Sequence, residues 1–331
     1  MQAERLAARE RLLQGCGFGG ANIAPLAADA SFRRYDRIRG TDGRYAVLMD
    51  APPDKEDVRP FHRVASILDD WNLSAPEVFG ADAAHGFLLL EDLGDDLFSR
   101  LIRNGHDETE LYAAAIDVLA DLTCRTPPGD LPAYDSDLLL SETEPLLDWR
   151  FAESTGESAT DTQRETWRAA WSTALAPVAD ARDVLVLRDY HVDNLIWLPG
   201  RDGVRRTGLL DFQDAVLGHP AYDVASLLSD VRRDVSPELE QAMLDRYMAA
   251  TGAEETEFRN AYTLLAAQRN AKIIGIFTRL SVRDGKHGYR KWLPRTWRLL
   301  RRDLSHPALA PVARWFDNHL PRDPAEDSAE T

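Results

Sequence analysis

The sequence predicts an α+β fold in two lobes, a small one built on an antiparallel sheet and a larger, mainly helical one. Three observations carry this. The 331 residues exceed what one small domain uses. Between residues 31 and 90 short runs of strand formers alternate bulky and polar side chains and are broken by glycine and proline. After Gly94 the apolar residues fall at helical spacing, interrupted once, at 184–213, by short strand-like runs. The expected bounds are 1–92 for the small lobe, 93–322 for the large one and 323–331 for an acidic tail without fixed structure.

Taken in order, residues 1–20 open with Leu6, Leu12 and Leu13 set among charges, an amphipathic helix, and end in glycines. Residues 31–38 and 44–49 read as strands of a hairpin joined at Gly40-Thr41-Asp42-Gly43. Ala51-Pro52-Pro53 breaks the second strand. Phe61, Val64, Ala65, Ile67 and Leu68 have helical spacing and predict a helix over 59–70. Strands follow at 77–79 and 86–90, then a hinge at 91–95. Asp107 and Glu110 resemble a capping box before the apolar stripe Leu111, Ala114, Ala115, Val118, Leu119 and Leu122, a long helix. Helices fill most of the rest.

Composition narrows the function. The net charge of −16 gives no basic footprint for nucleic acid. No apolar run reaches the length of about 18 residues that a membrane span requires, and the first residues lack a basic segment followed by an apolar core. Cys16 and Cys124 match no metal or redox spacing, as expected of free thiols in a cytoplasmic protein. The only lysines are Lys55, Lys272, Lys286 and Lys291, so arginines are the expected anion binders.

The chemistry concentrates at 187–214. Asp189 is followed five residues later by Asn194, and Asp211 lies beyond two strand-like runs, 195–198 and 205–210, joined by a turn at 199–203. A hairpin there returns the chain to its start, so Asn194 and Asp211 meet at its open end. An amide oxygen and a carboxylate facing one point suit Mg²⁺, a hard cation that takes oxygen ligands. Asp189 is then placed as a base or hydroxyl-orienting group, which is what phosphoryl transfer asks of a protein besides charge neutralisation. Asp and Asn also favour plain surface turns, but order, spacing and the intervening hairpin together favour the phosphoryl-transfer reading. His191 is read as a hydrogen-bonding brace for Asp189 or Asp211.

The run Asp189-Tyr190-His191-Val192-Asp193-Asn194 resembles the H-G-D-x-H-x-x-N loop of the aminoglycoside phosphotransferase family. Gly218-His219-Pro220-Ala221-Tyr222-Asp223-Val224-Ala225 resembles that family's G-D-P-x-x-D-L-A segment. The resemblance spans most of the chain and implies a protein-kinase-like two-lobe fold, ATP as phosphoryl donor, Mg²⁺ on Asn194 and Asp211, Asp189 as base, and adenine pairing to hinge backbone at Glu91 and Leu93. Segments 49–53, 89–94 and 268–277 look like the bacterial kinases that phosphorylate the anomeric hydroxyl of N-acetylmuramate and N-acetylglucosamine in cell-wall sugar recycling. A small-molecule amino sugar is the implied partner.

The chain departs from the family in two places. Leu187 and Arg188 stand where the family has His and Gly, and Ala46-Val47-Leu48-Met49 lacks the phosphate-binding Lys of the V-A-I-K strand. Arg33 and Arg34, with the Ser31 hydroxyl, are the candidates to replace it; in a strand the two arginines face opposite sides, and Arg33, which shares a face with Ser31 and Tyr35, is favoured; an exposed strand arginine is the plain alternative, and Lys55 a further candidate. Gln268, Lys272, Gly275 and Arg279 share one helix face, which is either a solvent face or a wall of the substrate cleft, where Lys272 and Arg279 would suit a lactyl carboxylate. Asp214, His219 and Asp223 are candidates for sugar hydroxyls or for bracing the loop, and Trp149 and Arg150 for ring packing or ordinary core. Two other functions fit less of the sequence: phosphorylation of a cationic aminoglycoside or another small-molecule hydroxyl, favoured by the acidic charge, and a catalytically silent nucleotide-binding module, suggested by Met49.

Overall fold

The structure is a computed structural model that describes residues 2–28 and 32–320. Its strands are β1 (Asn22–Ala28), β2 (Arg34–Arg39), β3 (Tyr45–Asp50), β4 (Val78–Asp82), β5 (Phe87–Glu91), β6 (Val184–Val186), β7 (Leu195–Trp197), β8 (Thr207–Leu209) and β9 (Val216–Gly218). The chain forms two compact units, Met1–Val118 with Val192–Ala215, and Leu119–His191 with Val216–Thr331. This division does not follow the expected boundary at 92/93. Residues 91–95, read as a hinge, lie inside the first unit, and so does the β7–β8 hairpin.

The first unit is organised by an antiparallel sheet of order β1-β2-β3-β5-β4. Successive side chains of a strand point to opposite faces, and here the two faces differ in use. Ile38, Ala46, Leu48, Phe87 and Leu89 pack with Ala8, Leu13 and Phe18 from the helix Gln2–Gly15 and the turn after it. The intervening Tyr35, Val47 and Leu90 line a cavity on the other face. The β2–β3 hairpin turns at 40–43, where the Gly40 N–H donates to the Arg44 carbonyl at 2.9 Å and Gly43 takes φ +87°. The helix Arg59–Asp70 has the predicted bounds and buries the predicted Phe61, Val64, Ala65 and Leu68. β1 was not anticipated: Asn22-Ile23-Ala24-Pro25 gives a weak period, and its bulge between Pro25 and Ala27 spoils the alternation.

The second unit is helical, with one short antiparallel pair, β6–β9. Its longest helix, Glu255–Val282, is buried on nearly every side. A Cβ at Gly275 would come within 2.3 Å of the Leu146 backbone nitrogen, so glycine is what lets the π-helical turn Leu146–Phe151 lie against this helix. Trp167, Trp171, Trp315 and Phe316 form an aromatic cluster with centroid spacings from 4.6 to 5.9 Å, close enough for edge-to-face packing. Among the described residues no helix is long and apolar enough to cross a membrane. The acidic tail at 323–331 lies outside the described residues.

Candidate phosphoryl-transfer residues in each unit

In the first unit, the sheet face carrying Tyr35, Val47 and Leu90 bounds a cavity of about 420 Å³. The β7–β8 hairpin supplies another wall through Ile196, and just beyond it come Leu210, Asn194 and Asp211. Trp197 pairs with Thr207 and Leu195 with Leu209, and the Leu210 N–H donates to the Asn194 carbonyl at 3.0 Å. The sequence expectation that a hairpin joins Asn194 to Asp211 is therefore met in the backbone. The return strand is shorter than expected, because Gly203–Arg206 winds into a 3₁₀ turn. At Gly208 a Cβ would lie 3.1 Å from Leu93 Cδ1, so a side chain there would push the hairpin off this rim.

Residues 91–95 form the rim. The Glu91 N–H is spent on the Glu77 carbonyl at 2.8 Å, and its carboxylate pairs with Arg201. Leu93 makes no hydrogen bond among the described residues. Arg37 fastens the rim, bonding Asp92 at 2.9 Å and Asp95 at 2.9 and 3.0 Å. That guanidinium holds the Asp95 carboxyl below the usual range against the opposing effect of burial. Leu90 is a cavity wall, because its register partner Val47 faces the same way.

Arg33 is not an exposed strand arginine. Its side chain is 10% exposed and donates to Asp211 Oδ1 at 3.0 Å. Asp211 Oδ1 also accepts from Gln213 Nε2 at 2.9 Å. Ser31 lies outside the described residues. Met49 is buried, opposite Tyr35 and Leu88 in the register, and Lys55 sits at the surface beside Asp54.

In the second unit, Asp189 follows β6 in a loop pinned by Asp223. The Asp223 carboxylate, 3% exposed, accepts the backbone N–H groups of Leu187 at 2.6 Å and Arg188 at 2.9 Å. Burial pushes its pKa up to about 7 against the pull of those two donors. Both Asp223 oxygens are thus engaged by the backbone of the loop. His219 Nδ1 accepts the Ala221 N–H at 3.1 Å, at the start of the helix Ala221–Leu228, and burial lowers its pKa. Asp214, which belongs to the first unit, is exposed and accepts from Gln213 at 3.2 Å. His191 is buried, and its pKa falls well below the usual value through burial and then through Arg232 and Arg269, so it stays a neutral group of the loop.

The shared face of Gln268, Lys272 and Gly275 is not a solvent face. Gln268 donates to the Leu139 carbonyl at 2.9 Å, Lys272 pairs with Glu142 at 2.8 Å, and Gly275 meets the 145–146 backbone. Arg279 is half-buried. Arg150 is buried core, pairing with Glu153 at 3.1 Å near the Trp297 ring. Sequence reasoning missed Arg37 and Glu142. The Asp92 and Asp95 doublet after a strand hinted at the first; Glu142 carried no signal.

A model of the phosphotransferase enzyme family matches residues 22–259. The chain belongs to this family. It is 39% identical, over 97% of its length and 98% of the relative's, to a protein of Caulobacter vibrioides called N-acetylmuramate/N-acetylglucosamine kinase. Two solved structures share the fold. Choline kinase LicA from Streptococcus pneumoniae has a TM-score of 0.62 at 13% identity, covering 94% of this chain and 99% of the other. The GDP complex of aminoglycoside 2'-phosphotransferase-IIIa has a TM-score of 0.61 at 14% identity, covering 91% and 98%. The phosphotransferase is thus of the kinase-like fold, with a hydroxyl group as acceptor, and the fold by itself leaves the acceptor open.

Proposed function

We propose that this phosphotransferase is a cytoplasmic, ATP-dependent kinase of amino sugars that phosphorylates the anomeric hydroxyl of N-acetylmuramate and N-acetylglucosamine. The observation that carries the donor side is the hairpin that presents Asn194 and Asp211 at the wall of an apolar cavity rimmed by residues 91–95. The relative from Caulobacter vibrioides supports the choice of acceptor.

Each residue then has a task. Val47, Leu90, Ile196 and Leu210 sandwich the purine, and the free backbone groups of Leu93 and the Glu91 carbonyl pair with its edge. Asn194 and Asp211 present an amide oxygen and a carboxylate, a donor set that fits Mg²⁺. Bound there, Mg²⁺ supplies charge neutralisation at the phosphates. Arg33, already at Asp211, takes the clamp role left open by Met49, with a guanidinium that suits phosphate oxygens. Asp189 accepts the proton of the attacking sugar hydroxyl. Lys272 and Arg279 are the cations proposed for the lactyl carboxylate.

The test is direct. Purified protein with ATP, Mg²⁺ and either sugar should yield the sugar 1-phosphate. Asp189→Asn should lower kcat about 100-fold or more while sparing nucleotide affinity. Turnover of other hydroxyl acceptors with none of these sugars would reject the acceptor, and nucleotide binding without any transfer would reject the activity.

A further inference from the structure

The backbone turns sharply just before Asp189. Its N–H donates to the Leu187 carbonyl at 2.9 Å, closing a three-residue turn, and Arg188 at the centre has φ +71°. A γ-turn of this hand is rare and strained for a residue with a Cβ, whereas glycine adopts it freely. Arg188 is held there from several sides. Asp223 takes its N–H at 2.9 Å, and the Ser226 hydroxyl donates to its carbonyl at 3.3 Å. The guanidinium pairs with Glu142 and lies over the Tyr134 ring, 5.4 Å from its centroid. Glu142 ends the helix Ser136–Ser141 and also binds Lys272 of the long helix at 2.8 Å and the Tyr134 hydroxyl. The side chains of Arg188, Glu142 and Lys272 are 18%, 11% and 15% exposed, so solvent screens them little.

We propose that Glu142, acting through the Arg188 guanidinium, is a positioning residue that holds this turn in its left-handed geometry and so aims Asp189. A buried ion pair is a weak source of net stability but can fix one conformation against others. Here it ties the side chain of the residue at the centre of this turn, whose backbone would gain by relaxing, and Asp189 is the next residue along. The inference rests on the role proposed for Asp189.

Steady-state kinetics with ATP, Mg²⁺ and N-acetylglucosamine tests it. Glu142→Gln and Arg188→Ala should each lower kcat about 100-fold, the scale of an ångström misplacement. Their KM for ATP should stay within about twofold, since the loss is confined to the chemical step. Arg188→Gly removes the same guanidinium but takes the turn without strain, so it should lose much less than Arg188→Ala. Adding Glu142→Gln to Arg188→Gly should then have no further effect. Equal losses for alanine and glycine at 188, or a full Glu142→Gln loss in the glycine background, overturn the proposal. If Glu142→Gln does not fold, the alanine–glycine comparison decides. If the unchanged chain phosphorylates neither sugar, or Asp189→Asn turns over normally, the proposed function has failed instead. Amide hydrogen exchange at 187–190 then reads the turn directly: faster exchange in Arg188→Ala than in Arg188→Gly supports the device, and equal rates refute it.

Discussion

Asp211 and Arg188 both stand in left-handed backbone, at φ +58° and +71°, and they are held in opposite ways. Aspartate tolerates that region because its short polar side chain bonds locally. Its carboxylate is 29% exposed and is met by two side chains, Arg33 and Gln213. Arginine has no such tolerance, and Arg188 is tied by Asp223, Ser226 and Glu142. The contrast follows from what each must do. In the proposed function, a carboxylate that holds a cation has to exchange partners during a cycle. A turn that aims a base has only to stay still.

Replacement at each region should separate the two designs. Asp211→Asn is expected to have the largest effect, a kcat loss of about 100-fold or more, because a metal ligand's charge is removed. Its unfolding free energy should move by no more than about 0.5 kcal/mol, as for other accessible positions. A marked loss of stability in denaturant titrations would place Asp211 with the fixed end and erase the contrast. Arg33→Met comes next, with the KM for ATP rising about tenfold, worth about 1.4 kcal/mol. An unchanged KM would reduce Arg33 to a counter-ion of Asp211.

The effect with the least bearing on turnover concerns Asp223 and pH. Burial raises its carboxyl from the usual 3.8 to about 7 in the folded chain. A group raised in this way adds stability that is complete below its ordinary pKa and is lost as pH climbs through the folded value. The stability advantage of the unchanged chain over Asp223→Asn should therefore shrink, by about 2–3 kcal/mol, between about pH 5 and about pH 8. Denaturant melts of both proteins across that range would show it, and a gap independent of pH would contradict the buried, proton-holding carboxyl described for this loop.

The open end was far more legible in the sequence than the fixed one. Asn194, Asp211 and the hairpin between them follow from spacing and strand propensity, which act over a few residues. The helix Arg59–Asp70 was readable for the same reason. The fixed end depends on partners far away in sequence: Asp223 is 35 residues from Arg188 and Glu142 is 46. No local pattern marks such pairs. The family resemblance exposed Arg188 as a departure from glycine, but its meaning appeared only with the backbone angle and the Glu142 carboxylate. The face of Gln268, Lys272 and Gly275 was ambiguous because a polar stripe on a helix normally faces water; here Leu139, Glu142 and Leu146 cover it.

Met49 carries a consequence for how such proteins are found. A buried thioether occupies the strand position where related kinases keep an amine, and none of the residues lining the cavity is a lysine. Nucleotide analogues that acylate an active-site lysine would thus meet no lysine among the described residues of this pocket. A covalent survey of ATP-using proteins built on that reaction would pass over this chain while it turned over, whereas reversible nucleotide probes would register it.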